Sequence, residues 1–138
     1  MKIKLDEGAK VTRAHSTDAG LDIYARESRI VPAHGSVKFD TGVHIELPKG
    51  TTGFLKSKSG LNVNFGITSE GVIDEGYTGS IAVKLYNHSD IDYLVEKGDK
   101  ISQLVIIPIL TPELELVQST DEFNKSDRGN NGFGSSGK

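Results

Sequence analysis

A carboxylate and an aromatic ring lie close together in one glycine-bracketed stretch of this sequence. Residues 71–79 read GVIDEGYTG, so that two apolar residues lead into Asp74, and Tyr77 follows between glycines. Asp and Gly are common in turns, and a plain β-hairpin connection accounts for the pattern. The alternative is a rigid loop that holds the Asp74 carboxylate and the Tyr77 ring against a ligand.

The C-terminal residues 126–138 carry groups that suit a nucleoside phosphate. The Arg128 guanidinium can grip a phosphate with two parallel hydrogen bonds, and the Phe133 ring can stack on a base. Serine hydroxyls and glycine-freed amides can bind phosphate oxygens. A flexible terminus is the competing interpretation, because Phe133 is the one large apolar residue there. Residues 132–138 also match the start of a P-loop, which we reject because no Ser or Thr follows Lys138 and no helix is predicted.

A second candidate anion site lies at Ser57, Lys58, Ser59 and Gly60. These residues begin the best helical candidate, residues 57–64, where free N–H groups, a hydroxyl and an ammonium would attract an anion. An ordinary helix N-cap at Ser59 explains the same residues.

Asp22 is a candidate metal-linked carboxylate because an acid within a strand is disfavoured unless it faces water or a metal shell. Exposure on the strand surface is the simpler explanation. The four histidines show no metal-ligand spacing and are expected on the surface or in turns: His15, His34, His44 and His88. Since acids outnumber soft ligands, a metal here would be a hard cation such as Mg²⁺, carried largely by phosphate oxygens and water.

Many short strands must position these groups. Apolar residues alternate through residues 36–47, with an interruption near Gly42, and a long apolar run at 100–110 is expected to be buried. Residues 65–68 and 71–73 read as separate strands. With almost no helix and frequent turn signals, the pattern predicts an all-β sandwich or barrel.

Composition narrows the classes of protein. The 138 residues fit one domain, with a catalytic body expected at 1–125 and a flexible arm at 126–138. The net charge of −3 argues against a broad nucleic-acid surface. Cysteine is absent, no apolar run approaches the length of a membrane span, and the first residues, MKIKLD, lack the apolar region of a signal peptide. We therefore expect a cytoplasmic protein.

Five stretches, taken in order, closely resemble the five motifs of the trimeric dUTP diphosphatases (dUTPases). They are residues 19–23, 58–60, 71–79, 98–104 and 128–137. The resemblance covers nearly the whole chain, and the third and fifth stretches together are highly specific. It implies a jelly-roll β-sandwich that forms a homotrimer, in which each C-terminal arm closes a site on a neighbour.

The resemblance also implies a reaction and its residues. The reaction is dUTP plus water to dUMP and diphosphate, limiting uracil in DNA and supplying dUMP for dTMP synthesis. Asp74 would activate the water, Asp22 would hold waters of an Mg²⁺ ion, and Tyr77 would pack under the deoxyribose. The other residues that would contact dUTP are Lys58, Ser59, Gly60, Gly71, Ile73, Gln103, Arg128, Phe133, Gly134, Ser135 and Ser136.

Some positions depart from the family pattern, and two alternative functions remain. Lys58 replaces the usual Arg, Asn130 and Asn131 replace small residues, and Thr78 stands where a basic residue is common.

One alternative function is that of the dCTP deaminase of the same superfamily, for which Glu70 and Glu75 offer a base. The other is a phage-type regulatory dUTPase with a protein partner, although no inserted domain is apparent between residues 85 and 100.

Overall fold

The computed structural model describes residues 1–134 together with Ser136 and Gly137. It contains eleven β-strands, one α-helix and one 3₁₀-helix. The elements run β1 Lys2–Leu5, β2 Val11–Thr12, β3 Gly20–Tyr24, β4 Arg29–Val31, β5 Ser36–Asp40, β6 Val43–Glu46, β7 Thr51–Lys56, α1 Ser59–Phe65, β8 Ile67–Ile73, β9 Ala82–Asn87, β10 Tyr93–Val95, β11 Lys100–Pro108 and the 3₁₀-helix Thr120–Glu122. The all-β prediction with one short helix is confirmed.

Seven strands form one curled antiparallel sheet in the order β2-β3-β11-β7-β8-β9-β5. Strand β8 turns the corner of this sheet, because residues 70–73 pair with β7 whereas residues 67–69 pair with β9. Two ribbons, β1 with β6 and β4 with β10, complete the fold. The predicted strands at 65–68 and 71–73 are therefore one continuous strand, since the same backbone serves both neighbours.

The core is built from the inward positions of alternating strands. In β5, Val37 and Phe39 are buried between exposed neighbours, and β9 repeats the pattern with Val83 and Leu85. The interruption expected near Gly42 is also present, since Gly42 has φ of 64° between β5 and β6. A left-handed glycine turns the chain there at little steric cost.

The end of the chain leaves the core after β11. The expectation that residues 100–110 are all buried was wrong for the last part, because Ile107, Ile109 and Leu110 are exposed. Leu114 and Leu116 are also 90% and 95% exposed. Beyond Pro108 the described residues contain no strand. In the described part of the chain, no helix is long and apolar enough to cross a membrane.

Candidate functional site

The hairpin between β8 and β9 presents Asp74 and Tyr77 at the surface. Strand β8 ends at Ile73, and a turn forms where the Tyr77 N–H donates to the Asp74 carbonyl at 3.1 Å. The Tyr77 hydroxyl donates to the Ser80 carbonyl at 3.1 Å, so its ring lies back across Gly79. A methyl group on Gly79 would lie 2.6 Å from the Tyr77 ring, which explains the glycine. Among the described residues, the Asp74 carboxylate accepts no hydrogen bond and faces solvent.

The rest of the protomer anchors this hairpin at several points. Glu75 accepts a hydrogen bond from the Gly50 N–H at 2.8 Å, and the buried Thr52 hydroxyl donates to the Ile73 carbonyl at 2.8 Å. His44 on β6 contacts the Thr78 carbonyl at 2.8 Å through Nδ1. Fixed supports of this kind hold the backbone that carries Asp74 and Tyr77 in place.

Asp22 is the centre of a buried ion cluster elsewhere on the sheet. Its side chain is 8% exposed and accepts from Lys58 Nζ at 2.5 Å and from Lys100 Nζ at 2.8 Å. Burial works against ionisation of Asp22, but the hydrogen bonds from Lys100 and Lys58 outweigh it, and the pKa of Asp22 lies below its ordinary value. The simpler explanation, an exposed strand residue, is wrong. Two ammonium groups share one carboxylate, so the cluster carries a positive charge that suits an anion.

Gln103 lies directly beside Asp22 in the sheet. It is the register partner of Asp22 on β3 and of Lys56 on β7. The side-chain amide of Gln103 lies over Gly20 of β3. A methyl group on Gly20 would lie 2.6 Å from Gln103 Oε1. The amide N–H donates to the Ser57 carbonyl at 3.0 Å. Gly20 thus leaves room for Gln103 to face the segment that leads into α1.

Three serines fix that segment to the sheet. The Ser57 hydroxyl accepts from the Ser69 N–H at 3.0 Å and donates to its carbonyl at 3.2 Å. The Ser69 hydroxyl contacts the Ser102 hydroxyl at 2.8 Å. Ser69 and Ser102 are buried and Ser57 is half-buried, and their hydrogen bonds stiffen the backbone before α1.

The start of α1 differs from the simpler of the two sequence interpretations. The N-cap position belongs to Lys58 and Ser59 is the first helical residue, so the N-cap expected at Ser59 is wrong. Lys58 makes no capping hydrogen bond, because an ammonium only donates, and its side chain donates to Asp22 instead. Ser59 and Gly60 are exposed next to the cluster. The helix ends at Gly66, which has φ of 67° and closes the last turn.

The hairpin and the Asp22 cluster lie far apart within one protomer. Asp22, Gln103, Lys56 and Glu70 are lateral neighbours on successive strands. Three strand spacings across the sheet and four residues along β8 place Asp74 about 20 Å from Asp22 along the sheet surface. A general base must lie within hydrogen-bond reach of its water, so one protomer does not bring both groups to the same phosphate.

Among the described residues, the C-terminal arm makes no hydrogen bond or ion pair to the hairpin or to the Asp22 cluster. Phe133 is fully exposed, and the arm folds only on itself, with Arg128 Nε donating to the Asn131 carbonyl at 3.1 Å. Gly134 and Ser136 are likewise exposed, whereas Ser135 lies outside the described residues. The structure therefore brings together Asp22, Lys58 and Gln103, and leaves the hairpin and the arm apart from them.

A magnesium ion would find one hard ligand here. Among the described residues, no three His, Asp or Glu side chains cluster in a way that could hold a metal. Asp22 is the single carboxylate of the cluster, and both of its oxygens already accept from lysines. This donor set fits an Mg²⁺ whose remaining ligands are phosphate oxygens and water, and does not fit a site built by the protein alone.

The acid dependence of stability should report the Asp22 cluster. Because the folded-state pKa of Asp22 is lowered, its contribution is present above the unfolded pKa of about 4 and is lost as pH falls below that value. We expect Asp22→Asn to lower the free energy of unfolding by about 1–3 kcal/mol at pH 6, since two lysines lose their partner. The difference should shrink toward pH 3. Urea denaturation at fixed protein concentration measures it.

The matched control is Glu96→Gln, which changes an exposed carboxylate in the turn after β10. It should shift the free energy of unfolding by less than about 0.5 kcal/mol at every pH. An Asp22→Asn deficit that is constant from pH 6 to pH 3 would show that the ion cluster does not contribute in this way.

Sequence reasoning missed the contacts of several residues of the site. Gly20 and Lys100 lie within two of the five stretches and Ser57 lies in the candidate anion site, but no motif assigns them these contacts. His44 lies in none of the stretches. His44 in particular is half-buried on a strand, so the expectation of a surface or turn residue was wrong for it. Only the register of the sheet brings Lys100 to Asp22 and Gly20 beneath Gln103.

The sequence is similar to those of known proteins over nearly its whole length. The dUTPase family profile matches residues 6–137. A deoxyuridine 5′-triphosphate nucleotidohydrolase of Clostridium acetobutylicum is 42% identical, over 97% of this chain and 93% of its own length.

Two solved phage structures share the fold over most of their length. The dUTPase of Staphylococcus bacteriophage 80alpha with dUPNHPP is 32% identical with a TM-score of 0.89, over 99% of this chain and 97% of that one. Its description states that phage dUTPases control transfer of virulence genes. A variant of the dUTPase from S. aureus phage phi11 is described as coordinating a structural Mg(II) ion. It is 30% identical with a TM-score of 0.79, over 87% of this chain and 97% of that one.

Proposed function

This chain belongs to the dUTPase family, and we propose that it hydrolyses dUTP to dUMP and diphosphate with Asp74 as the general base. The observation that carries the assignment of Asp74 is the free carboxylate at the mouth of an anchored hairpin, beside the Tyr77 ring. Water is a weak nucleophile, and a fixed carboxylate both orients it and takes its proton. Attack at the α-phosphorus then expels diphosphate.

The hairpin also supplies selectivity for the base and the sugar. Backbone N–H and C=O groups from Gly71 to Ile73 would pair with uracil, and a pocket of this kind rejects a base with another donor pattern because buried groups stay unpaired. The ring of Tyr77, held by its bond to Ser80, would pack under the deoxyribose and leave no room for a 2′-hydroxyl.

The Asp22 cluster serves as the phosphate platform. Lys58 and Lys100 bring two ammonium groups to one surface, and Gln103, Ser59 and Gly60 lie beside them. These groups would neutralise charge that moves onto the leaving diphosphate. Lys58 lacks the planar fork of the usual Arg, so it would act as a point charge.

Magnesium would act with the substrate at this platform. Asp22 would hold waters of an Mg²⁺ bound by the triphosphate, after releasing at least one of its two lysines. When bound, the ion would draw charge from the phosphate oxygens. The phi11 relative supports Mg²⁺ as a ligand of the family, although that ion is described as structural.

We also assign the active site to a homotrimer. The separation of about 20 Å between Asp74 and Asp22 in one protomer supports a site assembled from different copies. The arm, residues 126–138, would close a neighbouring site, with Phe133 stacked on uracil and Arg128, Gly134, Ser135 and Ser136 on the phosphates. The exposed Leu110, Leu114 and Leu116 give the preceding segment an apolar surface for a neighbour to cover.

Turnover of individual nucleotides tests the proposed function. Purified protein with Mg²⁺ should release diphosphate from dUTP, and should act on dCTP and dTTP at least about a hundredfold more slowly. Mass in solution should equal three chains. Absence of dUTP turnover above an Asp74→Asn control would reject the proposal, and a monomeric mass with full activity would reject the shared site.

The deaminase alternative is less well supported by the geometry. Glu75 is engaged with the Gly50 N–H, and Glu70 forms an ion pair with Lys56 at 3.2 Å. Both candidate bases therefore have structural partners, whereas Asp74 is free among the described residues. Ammonia release from dCTP in the same assay would restore this alternative.

A regulatory protein partner and a cytoplasmic location stay predictions. Similarity to the 80alpha dUTPase over 99% of the chain supports testing for a partner. The loop between β9 and β10 is short, from His88 to Asp92, and carries no inserted domain. Capture of a partner that survives both Asp74→Asn and loss of the arm would support the regulatory role.

A further inference from the structure

His44 holds the hairpin that carries Tyr77 to the body of the protein. It lies on β6, and its ring is 23% exposed between two oxygen atoms. Nδ1 is 2.8 Å from the Thr78 carbonyl, and Nε2 is 3.2 Å from Asp6 Oδ2. Thr78 directly follows Tyr77, so the contact fixes the backbone next to the ring.

Both neighbours of the His44 ring accept hydrogen bonds and neither donates. A backbone carbonyl has no proton, and Asp6 is ionised because hydrogen bonds from Lys4 and His44 lower its pKa. A neutral imidazole has one N–H and satisfies one of these oxygens. The imidazolium has two and satisfies both.

Other charges around the ring are arranged in pairs. Asp6 also accepts from Lys4 and lies 4.0 Å from Arg26, whose second partner is Asp40. Lys2 and Glu46, which line the same groove, pair at 2.9 Å.

We infer that His44 is a positioning residue, which clamps the Thr78 carbonyl to the body of the protein and so orients the Tyr77 ring for the deoxyribose. When the imidazole is replaced, the hairpin is released on that side. Ser80 stays attached through its bonds to Asp40 and the Gly42 N–H, so Tyr77 is loosened rather than detached. The role in binding the deoxyribose rests on the proposed function, whereas the clamp on the hairpin does not.

The kinetic test compares KM and kcat for dUTP in the full-length protein, in His44→Gln and in the control His88→Gln. His88 contacts Thr68 away from the hairpin. We expect KM to rise about tenfold in His44→Gln while kcat changes little, because the ring that packs under the sugar is loosened and the catalytic carboxylate is not altered. Both constants should stay near those of the unsubstituted protein in His88→Gln.

A spectroscopic test needs no nucleotide. Nuclear magnetic resonance should show the Tyr77 ring signals shifted in His44→Gln and unchanged in His88→Gln. Tyr77 signals in His44→Gln that match those of the unsubstituted protein, or a loss of kcat with KM unchanged, would overturn the clamp. A protein without dUTP turnover would overturn the proposed function, and the spectra would still decide the clamp.

Discussion

Asp74→Asn should lower kcat for dUTP by about a thousandfold, because an amide cannot take a proton from the attacking water. The side chain keeps its size, and Asp74 accepts no hydrogen bond from the described residues that would be lost. We therefore expect the dissociation constant of a non-hydrolysable dUTP analogue to change by less than about threefold. Stopped-flow proton release or diphosphate detection measures the rate, and calorimetry measures the binding.

Asp90→Asn is the matched control for this substitution. It makes the same change from carboxylate to amide in the loop before β10, where Asp90 contacts His34 at 2.6 Å. Its kcat should stay within about twofold of the unsubstituted protein. If Asp74→Asn retains a tenth of the activity or more, another group deprotonates the water and the assignment of Asp74 is wrong.

Two inactive variants should restore activity to each other. One is Asp74→Asn with an intact arm, and the other is a chain that stops at Asp127 but keeps Asp74. We assume that the base and the arm of each site come from different copies. In random trimers formed from a 1:1 mixture, each of the two groups is then intact in about half of the sites, so both are intact in about a quarter. Co-refolding the variants and measuring dUTP turnover should therefore recover about a quarter of the full activity, from a background near zero.

The control for this experiment places both changes in one chain. Refolding the truncated chain with a variant that lacks both Asp74 and the arm should recover nothing, since no site can then hold an arm. A mixture of the two single variants that also recovers nothing, while forming trimers of the correct mass, would mean that hairpin and arm come from the same copy.

Local patterns in the sequence predicted the parts of the fold that depend on neighbouring residues. The interruption at Gly42 and the short helix, predicted at 57–64 and present at Ser59–Phe65, follow from patterns that act over a few residues. The exposure of Ile109 and Leu110 was not predicted, because an apolar run looks the same whether its own core or another surface covers it.

The sequence singles out candidate site residues but does not predict how they are arranged. Asp74, Tyr77 and Asp22 stand in recognisable stretches, but the lysine pair around Asp22 depends on a register shift in β11 that places Lys100 beside β3. A bulge of this kind has no recognisable signature in the sequence of β11. The contact between His44 and Thr78 joins residues 34 positions apart and is equally invisible before folding.

In the proposed trimer, the exposed leucines beyond β11 would link folding to the association of chains. A lone protomer keeps Leu110, Leu114 and Leu116 in water, and such a surface favours aggregation until another copy covers it. Assembly should then be the slow, concentration-dependent phase of refolding, and activity should return with a lag that shortens as more chain is added. The rate of synthesis in the cell would determine the concentration of unassembled chains, and therefore how long newly made chains stay vulnerable to proteolysis.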